Sequence, residues 1–203
     1  MEIVIFGASG RTGVELVKQA LDQDHSVVAF VRNPTRLRIR HKNLSVAEAN
    51  VLDKEQVENA VGGCEGVLYA IGVMPWKRPV CTEGIKNVIS AMHKHNVRRL
   101  IAESAYGVKE TRKGVYGRSL WVIIKDIMRD KETMEDAISA SQLDWVIVRP
   151  TILTQGAKTG RYRVGQDLRV GILPRISRAD VADFMIKQLQ DDRFIHQAPS
   201  ISY

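Results

Sequence analysis

A glycine-rich turn near the start of the chain constrains the fold more than any other feature. An apolar run, 2–6, leads directly into Gly7, glycines recur at Gly10 and Gly13, and an amphipathic pattern continues to Leu21. Such a chain leaves a strand, turns sharply and starts a helix whose free N–H groups can face an anion. Gly7 permits the turn, Gly10 leaves room for phosphates and Gly13 lets the helix lie close to the strand. The stretch therefore predicts a nucleotide-binding turn.

Strands and helices are predicted to alternate along the whole chain. Apolar, strand-like runs occupy 2–6, 26–31, 44–48, 66–72, 100–103 and 144–149. This alternation is typical of a parallel sheet covered by helices on both faces. We expect an α/β fold with a Rossmann-like doubly wound parallel sheet, strand order 3-2-1-4-5-6, to which 200–203 can add a final edge strand. One domain is expected over 1–203, with an irregular substrate-side segment around 151–176.

The residues after the second predicted strand bear on the choice of cofactor. Folds specific for NAD place a carboxylate there for the ribose 2′-hydroxyl, whereas a 2′-phosphate prefers a guanidinium. This chain carries Arg32 and Arg36, with Arg11 in the glycine-rich turn and no carboxylate before Glu48. The pattern predicts NADPH rather than NADH. A solvated basic loop is the alternative interpretation of the same arginines.

Further cofactor contacts are expected where the strands end, because ligands collect at the carboxyl edge of a parallel sheet. Asn50 follows the third strand, where its amide could bind the adenine edge, although an ordinary turn asparagine fits equally well. Residues 72–76 are expected to roof the pocket. The predicted cofactor-binding residues are Gly7, Ser9, Gly10, Arg11, Thr12, Gly13, Arg32, Arg36, Asn50, Val51, Ala70, Ile71, Gly72, Ser104, Lys131, Pro150, Thr151 and Ile152.

A helix that begins near Leu120 is predicted to pack an apolar face against the sheet. That face repeats with a helical period through Leu120, Ile123, Ile124, Ile127, Met134 and Ile138. Lys131 interrupts it. A lysine on a buried face either extends to the edge of the helix or reaches an anionic or hydroxylated group in the pocket, and the sequence leaves both alternatives open.

The charge balance favours an anionic partner. The 203 residues include 30 Lys and Arg against 23 Asp and Glu, a net charge of +7, for which a polyphosphate cofactor is a sufficient partner. No aromatic interleaving or recognised motif indicates nucleic-acid binding. Cys64, Cys81 and the five histidines match no metal-ligand spacing, so no metal site is expected. No apolar run is long enough for a membrane span and no signal region opens the chain, so we expect a cytoplasmic protein.

Several motifs together resemble those of the atypical short-chain dehydrogenase/reductases. They lie at 7–13, 31–34, 83–88, 103–107, 148–150 and 176–182. The resemblance is specifically to the NAD(P)H-binding, NmrA-like group that includes biliverdin reductase B, also called flavin reductase. It covers nearly the full length of the chain and implies a Rossmann-like fold that binds NAD(P)H.

This sequence departs from ordinary short-chain dehydrogenases in one respect. Those enzymes use a Tyr-x-x-x-Lys pair whose tyrosine is the acid or base. Here Ile127 lies four residues before Lys131, so alcohol–carbonyl chemistry by that route lacks its proton donor. Reduction of a conjugated ring needs less from the protein. Ser104 matches the serine that biliverdin reductase B presents after its fifth strand, whereas Ile152 replaces a histidine, which argues against biliverdin activity. Ser104 and Tyr106 are the candidates for orienting or protonating an acceptor.

Three functions are consistent with these residues. The leading hypothesis is an NADPH-dependent reductase that transfers hydride to a flavin such as FMN, or to a similar planar acceptor. The first alternative is an NmrA-like redox sensor that binds NADP without catalysis and reports to a protein partner. The second is a reductase of quinones or other small carbonyl compounds. The sequence leaves the oligomeric state open.

Overall fold

The computed structural model of the chain describes residues 1–72 and 80–203. Most of the predicted roof, 73–76, therefore lies outside the described residues, whereas Gly72 is described. Within the described ranges, no helix combines the length and the apolar character that a membrane span requires.

Strands and helices alternate through most of the described chain, as the apolar runs predict. The strands are β1 Glu2–Phe6, β2 Ser26–Val31, β3 Leu44–Glu48, β4 Gly66–Tyr69, β5 Arg99–Glu103, β6 Asp144–Pro150, β7 Ile152–Thr154, β8 Arg163–Gly165, β9 Arg175–Ser177 and β10 Ser200–Ser202. The helices are α1 Arg11–Asp22, α2 Lys54–Val61, α3 Cys81–Lys94, α4 Gly114–Ile123, α5 Lys125–Ser139 and α6 Arg178–Lys187.

The main sheet has the order β3-β2-β1-β4-β5-β6-β10-β8, so the predicted order 3-2-1-4-5-6 is confirmed. All neighbouring strands are parallel except β10 and β8, which are antiparallel. The chain leaves β1 in one direction along the sheet and reaches β4 on its other side. This reversal opens a crevice at the carboxyl edge of the two strands, where doubly wound folds bind their ligands.

Two apolar cores lie on opposite faces of the sheet. Successive residues of β1 alternate between them, because neighbouring side chains on a strand point to opposite faces. Ile3 and Ile5 pack into the core that includes α1 and α6, whereas Val4 and Phe6 pack into the core that includes α2, α3 and α5. The doubly wound arrangement with helices on both faces is thus confirmed, and α1 and α6 share one face.

The long helix predicted from Leu120 is two helices, which corrects the predicted apolar face. Ile124 breaks the helix with φ −134° and ψ 42°, and α5 starts again at Lys125. A break of this kind changes the phase of the helical repeat. Ile123 is therefore 74% exposed, although the repeat predicts it to be buried. Met134 and Ile138, which follow the break, are fully buried as predicted.

The predictions for the last third of the chain are partly wrong. The segment 151–176 is not irregular throughout: β7 pairs with β9 in a separate parallel sheet, and β8 pairs with β10. The strand expected at 200–203 is present as β10, next to β6, but it is not the edge strand, because β8 pairs with its outer side. These strands have only three residues each, too few for an alternating pattern to be recognised. We call residues 155–174, which link β7 to β9, the flap.

Candidate functional site

The glycine-rich turn is built by close backbone contacts. Gly7 has φ +82°, and a Cβ there would lie 2.6 Å from the Ala70 carbonyl oxygen at the end of β4. A Cβ on Gly13 would lie 2.1 Å from the Gly7 carbonyl oxygen, so the first turn of α1 presses against the loop that precedes it. Gly10 caps α1 without a side-chain hydrogen bond. The N–H groups of the first turn therefore remain available to an anionic ligand.

A cavity of about 360 Å³ adjoins this turn. It is lined by Ser9, Gly10, Arg11, Val14, Glu15, Gln155, Gly156, Arg178 and Ala179. The structure thus brings three predicted cofactor residues, Ser9, Gly10 and Arg11, together with the start of α6 and the beginning of the flap.

Arg11 and Arg178 make the cavity electropositive. Neither guanidinium forms a hydrogen bond or an ion pair with any residue in the ranges 1–72 and 80–203. Burial lowers the pKa of Arg178, and the neighbouring Arg11 lowers it further, while Glu103 acts in the opposite direction. Two cations held near each other without a paired anion suit a polyphosphate ligand.

A buried carboxyl group lies behind the glycine-rich turn. Thr12 Oγ1 donates a hydrogen bond to Glu103 Oε1 at 3.1 Å. Burial raises the pKa of Glu103, against the opposing effects of Lys131, Thr12 and Arg178. The Thr12 hydroxyl is therefore committed to the interior, and Thr12 can offer a phosphate its backbone N–H.

Lys131 fixes the carboxyl edge of the sheet. Its Nζ donates to the Ile71 carbonyl at 3.0 Å and to the Glu103 carbonyl at 2.7 Å. The buried ammonium group thus ties the chain that leaves β4 to the end of β5; it does not extend into solvent, and it forms no ion pair with a carboxylate in 1–72 or 80–203. Gly72, the next residue after Ile71, leaves open space where a Cβ would stand.

Ser104 belongs to a buried network of charged groups. Its Oγ donates to Glu135 Oε1 at 2.5 Å, and Arg149 donates to the same carboxylate through Nε at 3.0 Å and Nη2 at 2.6 Å. Arg149 also contacts the half-exposed carboxylate of Glu110. Burial lowers the pKa of Arg149, but the two carboxylates outweigh this effect and raise it. The Ser104 hydroxyl is consequently held as a donor to Glu135.

Tyr106 stacks on Tyr116 beside the end of β6. The ring centroids are 5.8 Å apart and the planes are inclined by 27°. The Tyr106 N–H donates to the Pro150 carbonyl at 2.9 Å, which fixes the residue against β6. Burial raises the pKa of Tyr106, and burial together with Tyr106 raises the pKa of Tyr116 to about 12. Both phenols therefore stay protonated at neutral pH and can donate hydrogen bonds.

Comparison with known proteins identifies the family. A family model described as NAD(P)H-binding matches residues 7–192. The chain belongs to this NAD(P)H-binding family. A structure of a short-chain dehydrogenase/reductase from Veillonella parvula in complex with NADP has a TM-score of 0.86 at 19% identity, covering 100% of this chain and 94% of the other. ChuY, described as an anaerobillin reductase from Escherichia coli O157:H7, has a TM-score of 0.84 at 22% identity, with coverages of 99% and 96%.

A curated relative matches over part of its length. Cinnamoyl-CoA reductase 1 of rice is 32% identical over 116 residues, which covers 52% of this chain and 34% of the relative. The chain thus spans about a third of the length of this relative. The solved structures, in contrast, match the NAD(P)H-binding chain over nearly its whole length, and at their low identity they show the fold.

Several predicted cofactor residues of this NAD(P)H-binding chain lie apart from the cavity. Arg32 and Arg36 are exposed after β2, where Asn33 Oδ1 accepts from the Thr35 N–H at 3.0 Å. A second cavity of about 480 Å³ follows them and includes Arg38 and other residues of 34–40, but neither Arg32 nor Arg36. That the two predicted arginines bind the 2′-phosphate stays a prediction.

Two predicted residues after β3 have structural roles. Asn50 Oδ1 accepts from the Leu52 N–H at 3.1 Å, and the Asn50 N–H donates to Gln56 at 2.8 Å. This is the geometry of a turn asparagine, the alternative left open by the sequence. Val51 is buried in a core, and its carbonyl accepts from Asn87 at 2.9 Å. Neither residue lines the cavity beside the glycine-rich turn, so the cofactor contacts of Asn50 and Val51 stay predictions.

The residues after β6 divide between the interior and the surface. Thr151 is buried, its Oγ1 donates to Ser202 at 3.1 Å, and it does not line the cavity. Ile152 is partly exposed, and its N–H donates to the carbonyl of Pro174. Ile172 and Leu173, both exposed, immediately precede Pro174. An apolar patch therefore lies on the flap beside β7.

Arg178, Glu103 and Glu135 contribute to the site but are not among the residues predicted from the sequence. Arg178 lies inside the motif 176–182, directly after the helix-capping Ser177. A cation at the start of a helix is unfavourable for the helix dipole, and this was the signal that could have indicated a ligand. The two glutamates had no such signal, because their roles depend on contacts formed only in the folded chain.

Proposed function

We propose that the chain is an NADPH-dependent reductase that delivers hydride to a planar, conjugated acceptor such as a flavin. When bound, the nicotinamide supplies the hydride. The protein's own residues bind the dinucleotide, hold the acceptor and position a proton donor. The three similar proteins described above all carry the word reductase in their names, which supports redox chemistry here.

The observation that carries this proposal is the setting of Lys131. Its Nζ is bound to the carbonyl groups of Ile71 and Glu103, and Ile127 lies four residues before it. Reducing an isolated carbonyl requires an acid, because the alkoxide has to be protonated as it forms. A conjugated ring spreads the incoming charge and places less demand on an acid. The site therefore favours a flavin-like acceptor.

Tyr106 is the better candidate for a proton donor, and Ser104 for an orienting group. The Ser104 O–H is donated to Glu135, so the Ser104 oxygen can offer only its lone pairs to a ligand. The phenol of Tyr106 is protonated at neutral pH, as tyrosines ordinarily are, and burial raises its pKa and makes it a weaker acid. Its candidacy therefore rests on its hydroxyl, which is uncommitted among the described residues. A group that stays protonated and is free to donate can supply a proton or a hydrogen bond to a reduced ring.

The preference for NADPH is proposed from the arginines. Arg11 lies in the glycine-rich turn, and Arg32 and Arg36 follow β2. A well-placed charge-assisted hydrogen bond contributes about 1.5–3 kcal/mol, or roughly 10- to 150-fold in affinity. One such contact to the 2′-phosphate is sufficient to separate NADPH from NADH.

The test is an NADPH-oxidation assay with FMN, riboflavin, a quinone and biliverdin as acceptors, beside equilibrium titrations with NADPH and NADH. We expect turnover on a flavin above the free-solution rate and tighter binding of NADPH. Arg32→Gln should weaken NADPH and leave NADH unchanged, whereas Arg40→Gln, which removes the same charge from the same loop, is the matched control. Absence of turnover on every acceptor would refute the reductase.

A redox sensor is the second candidate, and the Ser104 network favours it. A hydroxyl already donated to Glu135 is a poor proton donor, as expected of a site that binds NADP without chemistry. Tight NADPH binding without turnover would support the sensor and direct attention to a protein partner. Turnover on the quinone alone would support the remaining alternative, a quinone reductase.

A further inference from the structure

The cavity beside the glycine-rich turn is lined by three separate parts of the chain. Ser9, Gly10 and Arg11 form one wall, Arg178 at the start of α6 forms the second, and 155–156 of the flap form the third. A ligand that fills this cavity therefore contacts the predicted cofactor turn and the flap at the same time.

No carboxylate among residues 1–72 and 80–203 forms an ion pair with the two cations of the cavity, although Glu103 acts on Arg178 from a distance. Arg11 and Arg178 both line the cavity, and neither has an ion-pair partner in the described part of the chain. Glu15 also lines the cavity, but it pairs with Lys18 at 3.3 Å. Glu103 lies behind the turn, where it accepts from Thr12. Holding two guanidinium groups together costs free energy that an anion between them would offset.

We propose that Arg178 binds the pyrophosphate of the dinucleotide from the side opposite the glycine-rich turn, and that this contact couples cofactor binding to the flap. The inference rests on the NADPH binding of the proposed function, and not on the identity of its acceptor. Arg178 supplies a bidentate donor, and the first turn of α1 supplies its free N–H groups.

The coupling passes through the first turn of α6. Asp180, two residues after Arg178 and fully buried, accepts from the N–H groups of Thr159 and Gly160, each at 2.8 Å. Thr159 Oγ1 donates to the same carboxylate at 2.8 Å. The flap is thus attached to the helical turn that carries Arg178. A pyrophosphate that fixes Arg178 fixes the anchor of the flap as well, so the cofactor should bind before the acceptor.

The binding test separates the pyrophosphate from the other phosphates. Arg178→Gln should weaken NADPH and ADP-ribose by about 10- to 150-fold, the effect of one charge-assisted contact, and leave adenosine 2′,5′-bisphosphate unchanged. Arg175→Gln is the matched control, since Arg175 is exposed on the adjacent β9 and does not line the cavity. Thermal unfolding without ligand verifies that both variants fold, and Arg178→Lys should restore part of the NADPH affinity.

Two outcomes would overturn the pyrophosphate assignment. The first is that the Arg178→Gln variant binds NADPH as tightly as the control variant Arg175→Gln does. The other is an equal loss for adenosine 2′,5′-bisphosphate, which would move Arg178 to the adenosine phosphates. These are binding measurements, so failure of the reductase proposal, seen as absent turnover, would leave them interpretable.

Hydrogen exchange tests the coupling. Saturating NADPH should slow amide exchange across 155–162 in the wild-type protein and in Arg175→Gln. In saturated Arg178→Gln the same amides should exchange at the rate of the free protein. Equal protection of the flap in both saturated variants would refute the coupling, even where Arg178 proves to bind the phosphate.

Discussion

Removing the carboxylate of Glu135 should destabilise the protein strongly. Glu135 is 1% exposed and Arg149 is 2% exposed, and they share two hydrogen bonds. In Glu135→Leu the buried guanidinium keeps only Glu110, whose side chain is 50% exposed. Breaking a buried pair by removing one partner costs about 3–5 kcal/mol. At about 2–4 °C per kcal/mol for a chain of this size, the melting temperature should fall by about 6–20 °C.

Two further variants test whether charge causes the loss. Glu135→Leu/Arg149→Met removes both ions and should recover most of the stability, because apolar replacements of a buried pair are often neutral. Ser104→Ala leaves the ion pair intact and should cost less, about 1.5–3 kcal/mol for one hydrogen bond to a charged group. Thermal and urea unfolding of all four proteins gives the comparison. Refutation would be a melting temperature of Glu135→Leu within 2 °C of the wild type, or a double variant no more stable than Glu135→Leu.

Three other changes give separate tests. Gly13→Ala should abolish NADPH binding in titrations, because its Cβ would lie 2.1 Å from the Gly7 carbonyl oxygen; retained affinity would contradict this packing. Burial raises the pKa of Asp180, but hydrogen bonds from Tyr203 and the flap outweigh this effect and lower the pKa. The contribution of ionised Asp180 to the free energy of unfolding is therefore complete above about pH 4 and is lost as the pH falls through the folded-state pKa. Asp180→Asn should flatten the acid limb of urea stability, and Asp167→Asn, on the exposed flap surface, should not. Tyr106→Phe should lower kcat for a flavin and leave NADPH affinity unchanged; unaltered kcat would exclude Tyr106 as the proton donor.

The central strands could be predicted because their signals are local. Each central strand is a short apolar run, and the turn at Gly7 requires a backbone that few sequences provide. The break at Ile124 could not be predicted, since apolar residues continue through it and only the exposure of Val122 and Ile123 reveals the change of phase. β7 and β9 depend on pairing between distant segments, for which three residues carry no recognisable pattern.

The candidate site shows the same division between local and distant signals. Arg11 could be predicted from its place in the glycine-rich turn. Arg178 carried a local signal, a cation at the start of a helix, but its place beside Arg11 could not be predicted, because the packing of α1 against α6 brings the two together from opposite ends of the chain. Lys131 could be recognised as unusual on a buried face, but its partners are backbone carbonyls, which no residue type indicates.

The buried carboxylates explain why the basic groups are free to bind a ligand. Glu103 accepts from Thr12, Glu135 from Ser104 and Arg149, and Asp180 from the flap. Each of these three carboxylates thus accepts hydrogen bonds inside the protein, mostly from hydroxyl and N–H groups. None of the three forms an ion pair with Arg11 or Arg178, the cations that line the cavity. Arg11 and Arg178 consequently face the cavity without ion-pair partners among the described residues. The position of these cations therefore matters more than the net charge of +7. The same number of basic groups scattered over the exposed surface, where salt screens them, would attract a polyphosphate only weakly.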